Sequence, residues 1–103
     1  MKPIPERFTQ DGFYLRQLDR DGPVALYLKT KGERNRSYEV VIVKQEPENV
    51  MFGRLVPAHE RYPGNEQWGQ YGFTLTSEAT AREKFAMLVN LYRTKQNAPG
   101  GRM

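Results

Sequence analysis

Residues that can carry a proton or ligate a metal lie close together in one stretch of this chain. His59 is the only histidine, Glu60 follows it directly, and Glu66 lies in the same loop. A catalytic zinc site needs more ligands at a more regular spacing, and general acid–base catalysis needs a positioned partner group. We therefore expect these side chains to belong to a solvated loop that binds no metal.

Other kinds of reaction centre are also missing from the sequence. The Cys count is 0, which removes thiolate ligands, cysteine nucleophiles and disulfides. Ser37 and Ser77 stand at a predicted strand start and a predicted helix cap, and there is no glycine-rich phosphate loop. We predict that the protein is not an enzyme and uses no cofactor. The alternative, an enzyme using His59, Glu60 and Glu66, requires those side chains to converge in a pocket.

Basic residues are densest in the segment KTKGERNR, residues 29–36. It contains Lys29, Lys31, Arg34 and Arg36, interrupted only by Glu33. Clusters of this kind attract polyanions such as nucleic acids. They are also typical of a solvated hairpin tip, because surface Lys and Arg are common in any domain. The sequence leaves both interpretations open.

The net charge of the whole chain is +4, with a pI near 9.5. Residues 1–50 carry nine Lys/Arg and eight Asp/Glu, whereas residues 51–103 carry seven and four. The excess is mild and lies mainly in the second half. It favours an anionic partner without requiring one.

Two aromatic residues in the stretch 57–69, Tyr62 and Trp68, are not needed to fill a small core. The Trp68 ring can pack over a sheet edge as a plug, or stand available for stacking on a base or a partner side chain. The second interpretation makes Trp68 a candidate nucleic-acid contact.

The elements that must position these residues are mostly strands. Apolar and β-branched residues bounded by Asp-Gly, Pro and Asn predict strands at 13–18, 24–29, 38–44, 50–56 and 70–76. The strand at 38–44 contains four consecutive β-branched residues, so we expect it to be central and covered on both faces. The stretch 57–69 is rich in turn formers and is predicted to be a long loop.

A single helix is predicted from Glu78 to Lys95. Thr76 or Ser77 can cap its first amides, and Arg93 suits the negative end of its dipole. An apolar stripe with helical spacing is formed by Ala81, Phe85, Leu88, Val89 and Tyr92. In so short a chain, the partner of this stripe must be a face of the sheet.

We therefore expect an α+β fold, with an antiparallel meander sheet of four or five strands and one C-terminal helix packed on it. A chain of 103 residues suits one domain, placed at 1–96, and the end at 97–103 is predicted to be a disordered tail. No apolar run is long enough for a membrane span, and no secretory h-region opens the sequence. We expect a cytoplasmic protein with no membrane partner.

The stretch from Val56-Pro57 to Lys84-Phe85 resembles small, single-domain, largely uncharacterised bacterial and phage proteins. The likeness covers residues 24–89 and is most specific at YPGNEQWG, residues 62–69. It implies one compact domain and names no function.

Residues 36–97 also resemble the WGR domain, a nucleic-acid-contacting module of poly(ADP-ribose) polymerases and some bacterial proteins. Residues 37–42 are similar to its opening strand, Phe52-Gly53-Arg54 to its signature with Phe in place of Trp, and Gly69-Gln70 to its later Gly-Gln. The resemblance implies that Arg54 contacts a phosphate or a terminal base.

These observations predict a small non-enzymatic binding module with DNA or RNA as the favoured partner. Its contacts are expected at Lys29, Lys31, Arg34, Arg36, Arg54 and Trp68.

The alternative is a protein-interaction or accessory factor, including a homodimer. Such a protein would use an exposed sheet edge, or a bare sheet face carrying Tyr14, Tyr27 or Tyr71.

Overall fold

The structure, a computed structural model, describes residues 1–97, which form nine strands, one α-helix and a short 3₁₀ helix at Asn65–Gln67. In chain order the strands and the α-helix are β1 (Arg7–Gln10), β2 (Phe13–Asp21), β3 (Val24–Lys31), β4 (Asn35–Ile42), β5 (Lys44–Glu46), β6 (Asn49–Met51), β7 (Arg54–Val56), β8 (His59–Arg61), β9 (Gly72–Leu75) and α1 (Glu78–Asn97). Of the predicted tail at 97–103, all but the first residue lies outside the described residues. Within residues 1–97, no helix combines the length and the apolar character that a membrane crossing requires.

Five of the strands form one antiparallel sheet in the order β1-β2-β3-β4-β9. Together with α1 this confirms the predicted α+β fold. Every residue from Tyr38 to Val43 is buried, so the four β-branched residues are covered on both faces as expected. The first strand, β1, is not predicted by the sequence.

The helix α1 packs across β3, β4 and β9, and this side of the sheet is called the helix face below. Ser77 is its cap, because its Oγ accepts a hydrogen bond from the backbone N–H of Thr80 at 3.2 Å. The predicted apolar stripe is confirmed as the buried side of the helix. The side chains of the stripe pack on residues at every second position of β3 and β4, among them Val24, Leu26, Val40 and Ile42.

The opposite side of the sheet, called the aromatic face, is covered by the N-terminal segment and the loop after β8 rather than left bare. Ile4 and the loop residues Tyr62 and Trp68 close over Leu15, Tyr27 and Val41. The rings of Phe8, Tyr27 and Tyr62 meet edge to face in all three pairs, at 5.3 to 5.5 Å.

The expectation of a bare face carrying three tyrosines is therefore wrong. Tyr27 is fully buried, and its hydroxyl donates to the carbonyl of Pro5 at 2.6 Å. Tyr71 belongs to the helix face. Tyr14, which is 41% exposed, also lies on the helix face, because its neighbours Phe13 and Leu15 belong to the aromatic face.

Residues 44–61 form a separate two-stranded arm. Its base is the pair β5–β8 and its end is the hairpin β6–β7, and neither pair joins the five-stranded sheet. The prediction of one meander strand at 50–56 is wrong, since Phe52-Gly53 is a turn with positive φ at both residues, 53° and 74°. This is the backbone of a type I′ hairpin turn, which favours Asn-Gly.

Candidate nucleic-acid interface

Lys29 lies on the aromatic face of β3, where its charge is paired. Its Nζ donates to Glu39 Oε2 at 2.9 Å and lies 4.5 Å from the centroid of the Phe13 ring. Glu39 is only 4% exposed, and the Tyr62 hydroxyl donates to its other carboxylate oxygen. A buried carboxylate without a cation would be costly. The charge of Lys29 is therefore engaged inside the protein.

The other basic residues of the segment remain exposed at the hairpin between β3 and β4. Lys31 and Arg36 flank the turn, and Arg34 lies in it. These three residues, called the basic tip below, have no ion-pair partner among residues 1–97. Lys31 lies on the aromatic side, 5.3 Å from the Phe13 centroid, whereas Arg36 lies on the helix face two positions before Tyr38.

Trp68 is packed on the aromatic face rather than standing free. A Cβ built on Gly72 would lie 2.3 Å from Trp68 Cε3 and Cζ3, so the indole lies directly over that glycine. Its Nε1 donates to Thr74 Oγ1 at 2.9 Å, and its ring centroid is 6.4 Å from that of Tyr62. The indole ring therefore packs over the sheet edge formed by β9, as the first of its two interpretations from the sequence expects.

A small polar cavity of about 140 Å³ lies between Trp68 and the Lys29–Glu39 pair. Tyr62, Pro63 and the β1–β2 turn also line it. Burial of Tyr62, then the nearby charge of Glu39, raises the pKa of the Tyr62 phenol well above its usual range. The buried carboxylate of Glu39 is paired with the partly exposed Lys29, and so this cavity presents no unpaired buried charge to a ligand.

Arg54 lies in the arm and is not brought together with the basic tip. It is the first residue of β7, directly after the Phe52-Gly53 turn, and pairs across the hairpin with Met51. The position that resembles the WGR signature is therefore an exposed hairpin turn on a separate small sheet.

The acid–base residues of the loop are not brought together either. Glu60 accepts two hydrogen bonds from the Arg20 guanidinium, at 3.0 and 2.8 Å, and one from the backbone N–H of Ile4. The Arg20 contact lowers the pKa of Glu60. His59 Nδ1 lies 3.0 Å from the carbonyl oxygen of Pro57. Across residues 1–97, no group of three or more His, Asp or Glu is placed to hold a metal ion.

Two residues that the sequence alone does not point to, Arg7 and Arg16, complete the exposed basic region. They are directly opposite each other on β1 and β2, and Tyr14 lies two positions before Arg16 on the same face of β2. The sequence pattern that could have pointed to Arg16 is the alternation of Phe13 and Leu15 with Tyr14 and Arg16. This alternation places Tyr14 and Arg16 on the helix face of β2, where a fully covered strand would carry apolar side chains.

Comparison with protein-family models, curated proteins and solved structures finds no match for this chain. The fold and the surface together describe a small α+β domain in which four arginines without an ion pair in residues 1–97 lie near one end of the five-stranded sheet.

Proposed function

We propose that this protein is a small, non-enzymatic nucleic-acid-binding module whose contact surface is centred on the basic tip. The observation that supports it most strongly is a set of exposed arginines near one end of the sheet, without ion-pair partners in residues 1–97. They are Arg7, Arg16, Arg34 and Arg36. A guanidinium with no carboxylate nearby keeps its donors available for phosphate.

Arginines elsewhere in the molecule are mostly paired. Arg20, Arg61, Arg82 and Arg93 each contact a carboxylate of the same chain. Of the five arginines without an ion-pair partner in residues 1–97, all but Arg54 lie on β1, β2 or the β3–β4 hairpin, where Glu33 offsets part of their charge. A local excess of positive charge raises the association rate of a polyanion.

Two earlier expectations remain predictions beside this proposal. One is the contact at Arg54 implied by the WGR resemblance; it competes with the basic tip, because Arg54 lies on the separate small sheet of the arm. The other is a cytoplasmic location, where DNA and RNA are both accessible.

Fluorescence anisotropy over a salt series tests the proposal, with labelled DNA and RNA oligonucleotides of about 15 nucleotides, a length within the range of known single-strand sites. We expect log affinity to fall linearly with log salt. Replacing Arg34 and Arg36 together by Ala should reduce the slope by about 1.4 to 1.8, which corresponds to two phosphate contacts.

The matched control removes the same charge from the arm, by Arg54→Ala with Arg61→Ala. Its slope should equal that of the wild type. Affinity that does not depend on salt, or an equal loss in the control, would refute the basic tip as the contact surface.

A second candidate function, self-association, is favoured by the end of the arm. Its apolar side chains are strongly exposed, with Phe52 at 97%, Val50 at 65% and Leu55 at 64%. A two-stranded hairpin is marginally stable alone, and both of its edges are open to pairing. The occupant we favour is a second copy of this chain, because Lys44, Arg54 and Arg61 balance Glu46, Glu48 and Glu60, so two arms meet without net repulsion.

Light scattering across a dilution series of the wild type and Phe52→Asn tests this candidate. The wild type should dimerise as concentration rises. The variant should stay monomeric and melt at the same or a higher temperature, because Asn suits the positive φ of this turn and Phe does not. A wild type that is monomeric at every concentration would exclude the dimer.

A further inference from the structure

The helix covers only part of the helix face. It packs on β3, β4 and β9, and its two ion pairs with β2 involve Asp19 and Asp21 at the far end of that strand. The first half of β2, together with β1 and the ends of β3 and β4 nearest the basic tip, is not covered by any part of residues 1–97. This region is called the open half below.

Two rows of side chains run across the open half at right angles to the strands. The first row consists of Thr9, Tyr14, Thr30 and Arg36, each directly opposite the next on neighbouring strands. The second begins with Arg7 and Arg16 and then reaches Leu28, Tyr38 and Leu75 beneath the helix. With strands about 4.8 Å apart, the first row is about 14 Å long.

The charges on these rows are all positive. Arg7, Arg16 and Arg36 are exposed, and neither row contains an Asp or Glu. Arg7 and Arg16 are also directly opposite each other, an arrangement of like charges that destabilises a strand pair. Folding alone does not account for this pairing, whereas an anion bound between the two guanidinium groups would relieve the repulsion.

Tyr14 is the one aromatic side chain in the first row, and it lies between the arginines. Its ring is 41% exposed, and its strand neighbours across the row are the small side chains of Thr9 and Thr30. An aromatic ring flanked by threonines leaves space above it for a flat group. Bases that are not paired in a duplex stack on rings in this position, and the π-face makes this tolerant of sequence.

We infer that the open half is a binding platform for single-stranded nucleic acid, with a base stacked on Tyr14 and the phosphates held by Arg7, Arg16 and Arg36. The inference rests on the proposed function and specifies its ligand, because a duplex buries the base faces that Tyr14 would contact. The basic tip lies at the edge of this platform and extends its positive field.

The experiment compares wild type and variants for binding to a labelled oligothymidine of about 15 nucleotides and to the corresponding thymidine–adenosine duplex. The wild type should prefer the single strand. Tyr14→Ala should weaken single-strand binding roughly 5- to 150-fold, the range expected for one lost stacking contact. Tyr14→Phe should keep it within about twofold, because the ring is retained. Phe52→Ala is the matched control, since it removes an exposed ring from the arm, and it should bind as the wild type does.

Arg16→Ala separates a binding role from a structural one. It should lower the salt slope for the single strand by about 0.7, as one phosphate contact is lost. It should also melt at the same or a higher temperature, because the opposition to Arg7 is gone. A lower melting temperature with unchanged binding would assign Arg16 to folding and overturn the platform.

The results distinguish this inference from the proposed function. If the protein binds duplex at least as well as single strand and Tyr14→Ala binds as the wild type does, the platform is wrong while nucleic-acid binding stands. If neither oligonucleotide binds at low salt, both proposals are wrong.

Discussion

Glu39 is the residue whose surroundings best explain how the aromatic face holds together. It is a carboxylate buried in the middle of β4, where the pattern of the strand would place an apolar side chain. Lys29 neutralises its charge and the Tyr62 hydroxyl donates to its second oxygen. Because Tyr62 also meets Phe8 and Tyr27 edge to face, this hydrogen bond fixes the loop at 62–68 over the sheet.

The same environment predicts a pH dependence for stability. Burial raises the pKa of both Tyr62 and Tyr27, so the folded protein keeps two phenolic protons that the unfolded chain releases above about pH 10. The stabilising effect is therefore complete below the unfolded pKa of tyrosine, and it is lost progressively as pH rises from there through the higher folded-state pKa.

Denaturant unfolding at several alkaline pH values measures this effect. Tyr62→Phe should be less stable than the wild type at neutral pH by about 1.5 to 3 kcal/mol, because a hydrogen bond to a buried charge is lost. Its stability should then fall less steeply above pH 10 than that of the wild type. Parallel curves would show that Tyr62 does not keep its proton in the folded state.

At the scale of elements, the contact between Trp68 and β9 joins the loop to the sheet edge. Gly72 is buried beneath the indole, and Gly69 donates its backbone N–H to the carbonyl of Gly72 at 2.7 Å. A side chain at position 72 would occupy the space of the ring. Glycine is therefore required there by close approach rather than by backbone conformation.

Gly72→Ala tests this contact directly, since the chain has one tryptophan and its fluorescence reports one site. The new methyl group must displace the indole, so we expect red-shifted emission, stronger acrylamide quenching and a stability loss of about 1 to 3 kcal/mol. Thr74→Val is the comparison variant, because it removes only the acceptor of the indole N–H and leaves the ring over Gly72. Unchanged emission in Gly72→Ala would mean that Trp68 packs elsewhere.

The elements that the sequence predicts are those with a sustained period. The helix stripe and the strands around Val24–Leu28 and Tyr38–Ile42 repeat their apolar positions over many residues, so burial of one face dictates the structure. β1 has a single apolar residue, Phe8, and each strand of the arm has three residues. Their pairing depends on turns and on contacts distant in sequence, which periodicity does not encode.

At the scale of the whole molecule, the sequence shows where the basic residues lie along the chain, but not which of them form ion pairs with acidic residues in the fold. KTKGERNR marks the basic hairpin, and three of its four cations are exposed there. Lys29 lies in the same run, yet it pairs with Glu39 ten positions away in the chain. Arg7 and Arg16 become neighbours only when β1 folds onto β2. Pairing across strands thus decides which charges remain available to a partner.

The molecule is accordingly divided into regions with different properties. The aromatic face is closed by its own rings, the arm presents apolar side chains, and the open half with the basic tip presents arginines around Tyr14. A nucleic acid that binds by charge and stacking is predicted to contact only the last of these.

The most direct test is to follow the backbone amide resonances of the full chain by NMR while oligothymidine is added at low salt. We predict shifts confined to β1, the first half of β2 and the β3–β4 hairpin, including Arg7, Tyr14, Arg16 and Arg36, with the arm at 44–61 unchanged. Absence of any shift, or shifts restricted to the arm or to the loop around Trp68, would contradict this account.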